Sequence, residues 1–146
     1  GAEVLDMLQA MNTGHDGSLT TLHANSTRDA ITRLNAMILL SGIELPLRAV
    51  YDMVASSIDL VIQISRFSDG SRKITAITEV TGEIVDGLPE LKDVFVFEHQ
   101  GLDADGRILG EFKPTGYVPL CFEDFVKRGV NMSADIFVPK KSDTAS

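Results

Sequence analysis

Apolar residues in this chain recur at one spacing before residue 57 and at another after residue 60, and this change of period restricts the fold more than any other feature. In the front part, Val4, Leu5, Leu8 and Met11 fall on one face of a helix over residues 2–11, with Gly14 as its stop. Ser26-Thr27-Arg28-Asp29 has the form of a capping box with Asp in the Glu place. It opens a helix over residues 27–41 in which Ala30, Ile31, Leu34, Met37 and Ile38 make one stripe, and Gly42 ends it. Pro46 suits the first turn of a third helix, to residue 56, with Leu47, Val50, Met53 and Val54 turned inward. Between the first two helices, residues 19–23 form a run rich in β-branched side chains, which predicts a buried strand with His23 at its carboxyl end.

From Leu60 the period approaches two. Residues 60–67 and 72–80 flank Ser68-Asp69-Gly70-Ser71, a turn signal that predicts a hairpin. Residues 94–98 and 107–112 flank a second Gly- and Asp-rich turn, while 82–91 has room for a short strand and Gly87-Leu88-Pro89 reads as loop. Residues 119–129 predict a short helix with Phe122, Phe125 and Val126 available to pack. The fold class is therefore α/β, with an α/β front over 1–80, a β-rich extension over 81–138 and a polar, flexible tail over 139–146.

A length of 146 residues suits one domain with a real core. The net charge of -8 repels phosphates and argues against nucleic acid as a partner, while the more acidic second half suits a basic one. The single cysteine, Cys121, has no internal partner, which fits a reducing, cytoplasmic setting. No apolar run approaches the ~20 residues of a membrane span, so membrane association is expected to go through a partner. The chain enters its first helix without a starting methionine, as a piece of a larger domain would.

Chemistry-bearing side chains concentrate in residues 12–26, which hold two of the three histidines. At a strand's carboxyl end His23 stands where open α/β sheets meet ligands, and the same position also suits a histidine satisfied by backbone. His15, on a Gly-flanked turn, reads equally as an exposed side chain. His15, Asp16 and His23 match no standard metal spacing, so no metal is expected. Thr20 and Thr21 read as strand formers and Ser26 as a helix cap, while Ser18 lacks the Gly-x-Ser-x-Gly elbow of a hydrolase. Asp103-Ala104-Asp105-Gly106 lacks the spacing of a calcium loop and reads as a turn. On the second strand Glu79 shares a face with Lys73, Thr75 and Ile77, with Ile74, Ala76, Thr78 and Val80 on the other, and pairing with Arg66 or Arg72 across the hairpin is predicted. The chain has no Gly-Lys pair, hence no P-loop, and no apolar strand ending in acidic residues to organise Mg2+.

Thr13-Gly14-His15 followed by Thr21-Leu22-His23-Ala24-Asn25-Ser26 resembles the His box of the secretion ATPases, the hexameric motors of type II and type IV secretion, type IV pili and Tad pili. Gly17-Ser18-Leu19 between the histidines, Leu45-Pro46-Leu47-Arg48-Ala49, Asp59-Leu60-Val61 and Asp69 to Ile74 leading into Ile77-Thr78-Glu79-Val80 are similar to the VirB11-like and CpaF-like (Tad/Flp pilus) branch. The resemblance implies the C-terminal half of a RecA-like P-loop ATPase core, with the His box over 13–26 and a β-hairpin-rich rear portion. It implies a parent that couples ATP hydrolysis to protein secretion or Tad pilus assembly as a homo-hexamer. That parent would be cytoplasmic, held peripherally at the inner membrane by platform proteins, and would use ATP and Mg2+. The Walker A and B segments would lie upstream, so the fragment alone is expected to hold no cofactor and to be inactive. His23 would be the catalytic residue beside the γ-phosphate, and His15, Thr13 and Thr21 would lie near the nucleotide. Glu79 with Arg66 would form an intersubunit contact or a structural ion pair, and Arg28, Arg33 and Arg48 would be further intersubunit candidates. Without the upstream strands an exposed sheet edge is expected to drive self-association. The alternative is a non-enzymatic α/β interaction module.

Overall fold

Four antiparallel strands form one sheet in sequence order: β1 (Leu60–Arg66), β2 (Arg72–Val85), β3 (Leu88–Leu102) and β4 (Ile108–Pro114). The computed structural model describes residues 2–12 and 17–140. Three helices, α1 (Ala2–Asn12), α2 (Thr27–Leu40) and α3 (Leu47–Ser57), precede the sheet, and α4 (Cys121–Lys127) and a 3-10 turn (Ala134–Phe137) follow it. The architecture is α/β.

The helices cover one sheet face. Leu8, Ile31, Leu34, Ile38, Val50, Val54 and Ile58 meet Val80 in one core, with Val4, Leu5, Met11, Val61 and Leu91 at its margin. The helical spacing thus places the expected stripes inward, with two exceptions. Leu47 is half exposed because it opens α3 at the helix's outer end, and Asn35 is buried on α2, its Oδ1 without a hydrogen-bond partner.

The strands depart from the sequence reading in three places. First, β2 and β3 run on to a two-residue turn, where the sequence offered only a short strand within 82–91 and a loop at Gly87-Leu88-Pro89. Asp86 (φ 53°) and Gly87 (φ 79°) both take positive φ, the geometry that an Asp-Gly pair adopts most cheaply in a tight hairpin. Second, the expected faces of β2 are broken by a bulge. Ile62 pairs with Ile77 and Ile64 with Ile74, leaving Thr75 as the extra residue, so Ile74 joins the face of Ile77 and Glu79. Thr75 turns to the helix side, where its Oγ1 lies 3.1 Å from Ser65 Oγ. Third, residues 17–24, expected to hold a strand over 19–23, join no ladder: β1 pairs with β2 on one side, and its other edge meets no strand among the described residues.

The second sheet face is partly covered by the chain's end. Phe137 is buried against Phe95 (ring centroids 5.9 Å apart) and Phe122 (5.6 Å), and Phe95 stacks on Phe112 at 5.4 Å. β2 runs past residue 80, spanning 72–85; it pairs with β1 as far as Glu79 and with β3 on either side of an irregularity between Val80 and Ile84.

Candidate functional site

The segment that carries His23 is held by the helix that follows it. Ser26 is the N-cap of α2 and its Oγ accepts from Asp29 N at 3.0 Å. Asp29 Oδ2 accepts in return from Asn25 N at 2.9 Å, so the box closes one residue earlier than a glutamate would close it. That N–H, assisted by the Arg33 guanidinium at 3.2 Å, holds the Asp29 carboxyl below its ordinary range.

The same helix end is pinned to the sheet. The Thr78 hydroxyl, fully buried, donates to Asp93 Oδ1 at 2.7 Å and lies 3.1 Å from Thr27 Oγ1. Arg28 Nη1 donates to the Pro89 carbonyl at 2.8 Å. From β1, Gln63 Nε2 donates to the Ala24 carbonyl at 2.9 Å. Residues 24–29 are thereby fixed to β1, β2 and β3, and His23 is attached directly to this anchored end.

A cleft of about 300 Å³ opens between residues 20–24 and β1, floored by Ala30 and Leu34 of α2. His23 and Thr21 are exposed along it. Thr13 and His15 lie outside the described residues. The polar groups of the lining are the Thr20 and Thr21 hydroxyls, the His23 imidazole and the Gln63 amide, and the remaining side chains are apolar. This donor set does not fit a nucleoside triphosphate by itself: no lysine or arginine lines the cleft, and a polyphosphate needs cationic donors or a cradle of N–H groups. Among the described residues no group of three or more His, Cys, Asp or Glu is placed to hold a metal.

Glu79 does not pair with Arg66 or Arg72. It lies opposite Leu60 and Lys92, while Arg66 lies opposite Arg72 at the exposed far end of the hairpin. Glu79 is only 4% exposed, because the C-terminal segment closes over it. Its Oε1 accepts from Tyr117 Oη at 2.6 Å and Leu120 N at 2.8 Å, and its Oε2 from Cys121 N at 3.2 Å. Burial, then the Glu79 charge, pushes the Tyr117 hydroxyl upward and the Cys121 thiol up to about 11. The carboxylate therefore ties α4 to β2. Its partners lie 38 to 42 residues along the chain, a separation for which a single sequence carries no local signal.

Arg33 and Arg48, expected as intersubunit candidates, form i,i+4 pairs with Asp29 (3.2 Å) and Asp52 (3.3 Å). No helix among the described residues is long and apolar enough to cross a membrane.

Comparison with known proteins gives a consistent set of likenesses. The model of the family described as type II/IV secretion system protein matches residues 1–100, which include the cleft, the anchored start of α2 and Glu79. A putative conjugal transfer protein of Mycobacterium tuberculosis (strain H37Rv) is 34% identical over 77 residues, 53% of this chain and 21% of that protein. The conjugal transfer protein TrbB of Rhizobium radiobacter is 30% identical over 78 residues, 53% of this chain and 23% of its own. The matched stretch thus spans about a fifth of these relatives' length.

Proposed function

Because the chain belongs to the type II/IV secretion system protein family, we propose that it is the C-terminal part of the ATPase domain of a transfer or secretion motor. In this reading the longer protein binds ATP and Mg2+, works as a homo-hexamer against inner-membrane platform proteins, and drives protein export, conjugal transfer or Tad pilus assembly. The names of the relatives favour conjugal transfer, and the His-box spacing favours the Tad branch. The observation that carries the proposal is the placement of His23. It is exposed at the rim of an open cleft and lies within the family-matched residues, whereas a merely structural histidine at that position would be packed away.

The described cleft supplies no cationic phosphate ligand, so the proposal assigns phosphate binding to the rest of the longer protein. This chain's own residues position His23 through the Ser26–Asp29 cap and the Gln63 bond, with Thr21 exposed beside it and Thr13 and His15 upstream.

The test is ATP hydrolysis by the longer protein, by its His23→Ala variant, and by the 146-residue chain. An active parent, a silent chain and a variant slowed at unchanged assembly support the motor reading. A parent that does not hydrolyse ATP, or turnover indifferent to His23, leaves the non-enzymatic interaction module in its place.

A further inference from the structure

Thr78 and Glu79 are neighbours on β2 and point to opposite faces of the sheet, Thr78 toward the helices and Glu79 toward the C-terminal segment. On the outer face Glu79 takes the Tyr117 hydroxyl and the amides of Leu120 and Cys121. On the inner face Thr78 joins Asp93 to Thr27, the residue after the Ser26 cap that holds the His23 segment. A hydroxyl has one proton, and Asp93 Oδ1 takes it at 2.7 Å, so across the 3.1 Å contact the Thr27 hydroxyl donates to Thr78.

A bulge makes this arrangement possible. Ile77 lies opposite Phe95 but Thr78 lies opposite Asp93, so Val94 is an extra residue that swings Asp93 from the face of Phe95 to that of Thr78. The C-terminal segment begins on the same bulge: Thr115 N donates to the Val94 carbonyl at 2.9 Å and Thr115 Oγ1 to the Asp93 carbonyl at 2.6 Å. Two short pieces of backbone, 78–79 and 93–94, therefore hold the C-terminal segment and the start of α2 together. The C-terminal segment is the loosest part of this linkage. Between Thr115 and Val138 only Pro119 and Phe137 are buried, and α4 buries no residue. A region with few buried contacts opens at a lower free energy than the core. It also lies beyond the family-matched residues 1–100, whereas Thr27, Thr78, Glu79 and Asp93 lie within them.

We propose that Thr78 and Asp93 are positioning residues for His23, and that they couple its placement to the seating of the C-terminal segment on Glu79. With the segment seated, both pieces of backbone are fixed and the start of α2 is held. With it released, Glu79 and the carbonyls of Asp93 and Val94 lose their donors, and the His23 segment loosens. The regulatory meaning rests on the proposed role of His23, whereas the coupling does not.

The test is amide exchange, with the His23 ring signal, in the 146-residue chain and its Tyr117→Phe, Thr78→Val and doubly substituted forms. Tyr117→Phe removes a bond on the outer face only. It should nevertheless speed exchange of the Asp29 and Ala30 amides, both donors to Ser26, by about two- to fivefold, the upper figure being the equivalent of one hydrogen bond. The His23 signal should shift with them, while Val54 and Ala55 in α3 keep their protection. In the Thr78→Val background Tyr117→Phe should move neither Asp29 nor Ala30, and Thr78→Ser, which keeps the hydroxyl, should restore the effect. Asp29 and Ala30 unmoved by Tyr117→Phe overturn the proposal, as does an effect that survives Thr78→Val or spreads equally over α3. Should Thr78→Val fail to fold, Thr27→Ala removes the same link from the helix side and decides in its place. The readout uses no nucleotide, so its failure is separate from that of the ATPase assay: coupling in a chain whose longer form does not hydrolyse ATP strikes the motor reading and leaves the relay standing.

Discussion

Glu79→Ala should loosen the C-terminal segment before it unfolds the helical core. The substitution leaves Tyr117 Oη and the amides of Leu120 and Cys121 without their acceptor, in a place where Glu79 itself is 4% exposed. A buried donor left unpaired costs about 1–3 kcal/mol. Relief of the several kcal/mol spent holding a carboxylate out of water offsets part of that, as does the freedom of Leu120 and Cys121 to turn toward solvent. The net loss is about 2–4 kcal/mol, a large share of the roughly 5–15 kcal/mol that holds a domain together. Glu79→Gln keeps one oxygen for Tyr117 and Leu120 but points an amide N–H at the Cys121 N–H, for a loss of about 1–2 kcal/mol. Tyr117→Phe removes one bond and should cost about 1 kcal/mol. Urea unfolding measures the totals, and native-state exchange locates them, with protection falling first across 117–138. An alanine variant within about 0.5 kcal/mol of the parent, or unchanged protection there, would refute the tether.

Two further outcomes follow from other groups. Asp69 accepts from Ile108 N at 2.8 Å and from Ser71, which joins the β1–β2 turn to the start of β4 and lowers its carboxyl to about 2. A depressed acid contributes its stability above the unfolded pKa, so this contact should persist above about pH 4 and be lost as pH falls toward 2. Titration of the Ile108 amide signal checks this, and Asp69→Asn should abolish the transition. Asn35→Leu replaces a buried amide oxygen that has no hydrogen-bond partner and should raise stability by about 1 kcal/mol in the same urea assay; a loss would show that the site cannot take the bulkier branch.

What was legible in the sequence were the features with a local cause. Helical periodicity placed Leu8, Ile31, Leu34, Ile38, Val50 and Val54 in the core, and Ser26 with Asp29 marked the start of α2, because both signals act within a turn or two of backbone. The Asp69-Gly70 turn was read correctly for the same reason, and the Asp86-Gly87 turn carried an equal signal that the neighbouring Pro89 obscured. Strand faces were less secure. One bulged residue, Thr75, reassigns Ile74 to the other side, and a bulge depends on the partner strand, which a single segment does not specify.

Only the tertiary structure decided how the chemistry is arranged. It left residues 17–24 outside any ladder, because a β-run becomes a strand only where another backbone offers hydrogen bonds along its edge. It gave Glu79 to Tyr117, Leu120 and Cys121 and not to an arginine, because the C-terminal segment folds back over that face and a buried carboxylate takes the donors that reach it. It also set His23 beside β1, through a bond from Gln63 to a carbonyl 39 residues earlier. The sequence by itself determined which stretches are helical, which are β-forming and where polar groups gather. Which edges meet, and which remain open, was settled by contacts between distant segments, whose energies no local pattern of residues records.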